Sequence, residues 1–105
     1  MTVFDLYTIN TDDLKKASVL VERALSISLE NRHSTYQGGN YFLFGNESGE
    51  HFVLKQNTDP IDNEPVEQSF PEARILLYVN DTQRQAEIQD ALVQNGFTLL
   101  RHEEL

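Results

Sequence analysis

The 105-residue sequence contains no cysteine and no tryptophan, and only one methionine, three prolines and five glycines. Without cysteine there is no disulfide, no thiolate zinc site and no cysteine nucleophile, and a reducing cytoplasmic setting fits. Basic residues are scarce as well: eight Lys and Arg stand against seventeen Asp and Glu, a formal net charge of −9. Such a field repels a phosphate backbone, which argues against direct nucleic-acid binding, and it attracts basic proteins. Long apolar runs are missing too. No stretch approaches the roughly 20 residues of a membrane span. The opening MTVFDLYTIN lacks a basic segment followed by an apolar one, so neither a membrane anchor nor a secretory leader is expected. Familiar catalytic patterns are absent in the same way: there is no Gly-x-Ser-x-Gly, no Gly-x-Gly-x-x-Gly, no P-loop and no His-Glu-x-x-His. His33, His51 and His102 share no metal-binding spacing, and surface or structural roles are expected of all three. No catalytic set, metal or cofactor is expected.

Patterning supplies the positive signals. Val3 to Ile9 alternates in a β-rich composition and reads as a strand. Asn10 and Thr11 offer capping chemistry, and Leu14, Ala17, Val21, Ala24 and Leu25 recur at helical steps, widened by Val19, Leu20 and Ile27. The spacing predicts a helix over roughly 12–31, with His33 at its end. Tyr41 to Phe44 and His51 to Lys55 flank the turn sequence Gly45-Asn46-Glu47-Ser48-Gly49 and predict an antiparallel hairpin. Ile75 to Val79 is the strongest strand signal. Asn80 and Asp81 suit the cap of a helix beginning near Thr82, whose apolar side is Ala86, Ile88, Leu92 and Val93. Asn95-Gly96 ends it, Phe97 to Leu100 reads as a last strand, and residues 101–105 as a frayed tail.

This length supports one domain over residues 1–105. The order β-α-β-β-β-α-β predicts an α+β fold, a single sheet with two helices on one face, as a ferredoxin-like variant with one additional strand. Strands 41–44 and 75–79 are apolar at consecutive positions, so both of their faces want cover. For the face away from the helices that cover comes from a loop, a second copy or a partner.

Charge is spread unevenly. Residues 1–46 hold five acids and four bases, whereas residues 47–105 hold twelve acids and four bases. The extreme is the segment TDPIDNEPVEQSFPE at positions 58–72, with five carboxylates, three prolines and no base. Its prolines block regular pairing and predict a long loop, a rarity in compact domains that is usually functional or disordered. It fits no calcium loop, since acids do not alternate and no glycine occupies the sixth position. Carboxylates on such a loop are solvated rather than held in a cleft, which disfavours acid–base catalysis.

The stretches TVFDLYTINTDDL, NYFLFGNESGEHFVLKQ and RILLYVNDTQRQAEIQDALVQNGF, with the acidic insert between the last two, resemble the immunity proteins of bacterial contact-dependent growth inhibition systems. The resemblance implies a protein that binds and neutralises a cognate basic toxin, the C-terminal domain of a very large secreted protein. Such toxins are often nucleases. Some relatives' toxins cleave transfer RNA with the help of elongation factor Tu, which implies a ternary complex with that factor. No fixed motif exists from which site residues carry over. From chemistry alone, Asp59, Asp62, Glu64, Glu67 and Glu72 are the expected contacts for toxin Lys and Arg, with Tyr36, Tyr41 and Phe70 as aromatic anchors. Two other readings stand beside this one. The first is a small regulatory or ligand-sensing ferredoxin-like domain, dimeric through the open sheet face. The second is an enzyme using His51 or His102 with a carboxylate.

Overall fold

Residues 2–34, 39–59 and 61–105 are described by a computed structural model. Among them the chain forms β1 (Val3–Ile9), α1 (Leu14–Leu25), β2 (Glu30–Ser34), β3 (Gly39–Gly45), β4 (His51–Gln56), β5 (Ile75–Thr82), α2 (Gln85–Gln94) and β6 (Phe97–Glu104). The fold is α+β. One sheet runs in the order β2-β3-β4-β5-β1-β6, with every neighbouring pair antiparallel. The run β6-β1-β5-β4 with its two crossover helices is the ferredoxin-like arrangement. β2 and β3 extend it beyond β4, so two strands are added rather than one.

The second added strand, β2, begins within the span expected to be helix. α1 does not reach residue 31: it begins at Leu14, where the Asp13 carboxylate accepts the Lys16 N–H, and it ends at Leu25. Ser26 takes the left-handed conformation (φ 55°), and the Glu22 carboxylate accepts the Leu29 N–H at 2.7 Å. These bonds turn the chain out of the helix, and residues 30–34 pair with β3. His33 therefore lies on a strand and not at a helix end. Val19 is exposed, whereas Ile27 packs on the core from beyond the helix.

Two further boundaries differ from expectation. β5 runs on through Thr82, whose hydroxyl accepts the Arg84 N–H, and α2 starts only at Gln85. β6 runs to Glu104, and Leu105 exchanges two backbone hydrogen bonds with Thr2, so residues 101–105 are a paired strand end and not a frayed tail. The 45–49 turn is as expected. Gly45 is required there: its φ is 76°, and a Cβ would meet the Glu50 carbonyl at 2.1 Å.

Alternation in the strands sends Tyr7, Ile9, Phe42, Phe52, Leu54, Ile75, Leu77, Val79 and Phe97 to one side of the sheet. There they meet Ala17 and Val21 of α1 and Ile88 and Leu92 of α2. Each fully buried large side chain contributes roughly 1.5–3 kcal/mol. Both helices thus cover one face. Among the described residues no helix is long and apolar enough to cross a membrane.

Candidate partner-binding surface

The second face of the sheet carries the residues that alternate with the core. Register aligns Leu43, Val53, Tyr78, Leu6 and Arg101 in one row, and Lys55, Leu76, Thr8 and Thr98 in the next. Over β5, β1 and β6 this face is covered: Leu76 is 0% and Leu6 1% exposed. The cover is the inner half of the acidic insert. Asn57, buried at the end of β4, organises it. Its side-chain oxygen accepts the Glu67 N–H at 2.8 Å, and its amide donates to the carbonyls of Phe70 (2.9 Å) and Ala73 (2.8 Å). Its own backbone N–H donates to the Arg74 carbonyl. One buried amide thereby satisfies groups across the proline-rich segment that no ladder can pair.

Glu67 is tied to the sheet below. Its carboxylate accepts from the Tyr78 hydroxyl at 2.7 Å and from both terminal nitrogens of Arg101 at 3.2 and 3.3 Å. The Arg101 bonds hold the Glu67 carboxyl below the usual carboxylate range, with help from Tyr78 and from the charge of Lys55, against its partial desolvation. Burial pushes the Tyr78 phenol up, and Glu67 adds to that. Burial lowers the Lys55 ammonium, opposed by Glu67 and Asp59, while Lys55 lies over the Tyr78 ring at 5.8 Å.

The outer half of the insert is built differently. Asp59 accepts the Ile61 N–H on its carboxylate and the Asn63 N–H on its carbonyl, and the Asp62 carboxylate accepts the Glu64 N–H. These are local turns that order the tip without anchoring it on the sheet. Asp62, Glu64 and Glu72 are exposed and form no salt bridge among the described residues. Arg74, two positions beyond Glu72, turns instead to Asp12 at 3.8 Å. Ile61 stands 86% exposed among these acids.

The expected site residues therefore separate. Asp62 and Glu64 share one exposed tip, and Asp59, half-buried at its base, lies near Lys55. Glu72 lines two cavities with Arg74, one of about 310 Å³ shared with Phe70, Thr8, Thr98 and Leu100, and one of about 470 Å³ shared with Asn63 and Pro65. Phe70 is half-buried against the sheet, and Glu67 is held internally. Tyr41 lies on β3 at a distance from the insert's inner half, and Tyr36 falls outside the described residues.

Past Lys55 the second face opens at Leu43 of β3 and Val53 of β4, which are half-buried. A groove of about 500 Å³ runs there, lined by Tyr41, Leu43, Val53, Arg32, His51 and Asn80 together with the 45–47 turn. His51 donates from Nδ1 to the Gly49 carbonyl at 2.8 Å. The helix side holds a pair that no local spacing signals. His102 Nδ1 lies 2.6 Å from the buried Asp5 carboxylate, which also accepts the Tyr7 hydroxyl. Ninety-seven residues separate His102 from Asp5, and only the β1–β6 register brings them together. A second internal clamp joins Glu50 to Arg84 and Thr82. Among the described residues no group of three potential ligands is placed to hold a metal ion. No protein-family model matches the chain, and no curated protein matches it in sequence.

Proposed function

We propose that this chain is a cytoplasmic immunity protein that binds a cognate basic toxin domain of the nuclease class, transfer RNA being one candidate substrate, and masks its active site electrostatically. One observation carries the reading: Asp62 and Glu64 project on a solvent-facing tip, with Asp59 half-buried at its base, while the segment behind them is fastened to the sheet. A nuclease cleft is cationic because it holds phosphate, and a rigid display of carboxylates presents the same charge. Ordering the tip beforehand lowers the entropy lost on docking, and the surrounding field steers the encounter. A ternary complex with elongation factor Tu belongs to the same proposal. The test is a titration of the chain against the C-terminal domain encoded by the gene immediately upstream. Saturable binding that weakens with salt, and protection of cells producing that domain, are expected; no binding at low ionic strength removes the reading.

A second reading, a small regulatory or ligand-sensing domain, is favoured by the groove at Tyr41, Leu43 and Val53, where apolar walls meet Arg32, His51 and Asn80. It predicts that a small anionic or aromatic compound raises the melting temperature. A Tyr41→Ala variant should lose that response.

A further inference from the structure

The sheet has two edges, and they are not equivalent. β6 ends in Glu103 and Glu104, which give that edge an excess of acid. β2 is a five-residue edge, and Glu30, Asn31, Arg32 and His33 are all exposed. An open edge offers a row of unpaired backbone donors and acceptors. β2 itself is balanced in charge, with Glu30 against Arg32, whereas β6 sets Arg101 against both Glu103 and Glu104. A second copy is therefore repelled least on this side.

We infer that β2 pairs with β2 of a second copy of this chain, antiparallel about a twofold axis at Asn31, to give one continuous sheet. Charge selects the register. Glu30 and Arg32 stand on the same face of β2, opposite Leu43 and Tyr41 of β3, and are 3.1 Å apart. If the helices of both copies stay on one side of the joined sheet, only registers that preserve side-chain parity are allowed. Centring the axis on residue 30 sets Glu30 against Glu30 of the partner subunit. Centring it on residue 32 sets Arg32 against Arg32 of the partner subunit. Centring it on Asn31 sets Glu30 against Arg32 of the partner subunit, and Arg32 against Glu30 of the partner subunit. Directly opposed opposite charges stabilise an antiparallel pair, and like charges destabilise it. The contact is isologous and closes at two copies. It also joins the two grooves at Tyr41, Leu43 and Val53 into one surface across the axis. The contact does not depend on the proposed toxin partner, because the fastened half of the acidic insert lies over β5, β1 and β6.

Sedimentation velocity of the full chain over about a hundredfold range of concentration tests this. A monomer–dimer equilibrium is expected for the native sequence. Arg32→Glu and Glu30→Arg should each raise the dissociation constant about tenfold or more, since each sets like charges across the axis twice. An equimolar mixture of these two variants should dimerise about as tightly as the native chain, because opposite charges then face each other at both positions. A native chain that stays monomeric throughout overturns the inference and leaves the edge to a different protein. So does a single variant that dimerises as tightly as the native chain. Failure of the mixture to associate, while both variants keep the native unfolding midpoint, overturns it equally.

Discussion

Residues 66–74 and residues 61–64 belong to one acidic insert, yet they are held by opposite means. The inner part is held by groups outside itself: the buried Asn57 amide fixes its backbone, and Arg101 and Tyr78 fix Glu67, while its other acid, Glu72, stays exposed. The outer part is held by its own side chains, with Asp59 and Asp62 closing turns on the backbone two residues ahead. Carboxylates of identical chemistry thus become a structural anion in one place and a solvent-facing display in the other. Position relative to a cation on the sheet decides which.

The largest effect expected from disturbing this contrast is at Asn57. Asn57→Ala leaves the Glu67 N–H and the Phe70 and Ala73 carbonyls without their partner, and should destabilise the fold by about 3 kcal/mol. Urea unfolding measures this, and limited proteolysis should cut within 66–74 in the variant before it cuts the native chain. Glu67→Gln comes next, at about 1.5 kcal/mol, because Arg101 and Lys55 then lose the anion between them. The native Glu67 also has a signature in pH. Its carboxyl is lowered in the fold from an ordinary 4.5, so its contribution is complete above that value and is lost as pH falls through the lowered one. Glu50 behaves likewise beside Arg84. Glu67→Gln should flatten the acid limb of the stability curve without removing it.

The His102–Asp5 pair gives a smaller effect of opposite sign. The hydrogen bond to Asp5 raises the His102 imidazole above its ordinary 6.5, with Glu104 adding to it. Its contribution is present below 6.5 and fades as pH rises through the raised value. The urea midpoint of the native chain should therefore decline on going from about pH 6 to pH 9, and His102→Gln should remove that decline. The smallest effect on stability belongs to the outer tip. Asp59→Asn, Asp62→Asn and Glu64→Gln should each change unfolding free energy by no more than about 0.5 kcal/mol.

Most of the architecture was legible in local patterning. The alternation at residues 3–9, the apolar run at 75–79, the Gly45–Gly49 turn and the Asn95-Gly96 stop each encode their element with nearby residues. β2 was hidden because ENRHS has no apolar alternation. It is an edge whose strand character comes from pairing with Tyr41 and Leu43. The last turns of the helix expected over 12–31 were lost to Glu22, an ordinary helix residue whose carboxylate happens to accept a backbone N–H seven positions on. At the surface, the sequence located the acids but could not sort them. What separates Glu67 from Glu64 is Arg101, thirty-four residues away from Glu67, on a strand that reads as a tail. The Asp5–His102 pair was illegible for the same reason, since it depends on register between the two ends of the chain.

The most direct measurement crosses two readouts, the association rate with the upstream-encoded basic domain by stopped flow at low ionic strength and the urea midpoint of the free chain. Neutralising Asp59, Asp62 and Glu64 together should slow association by about tenfold and leave the midpoint in place, while Glu67→Gln should lower the midpoint and leave the rate nearly unchanged. An association rate that is unaffected by the triple change, or that falls with Glu67→Gln alone, would contradict the division of the insert into a fastened half and a displayed one.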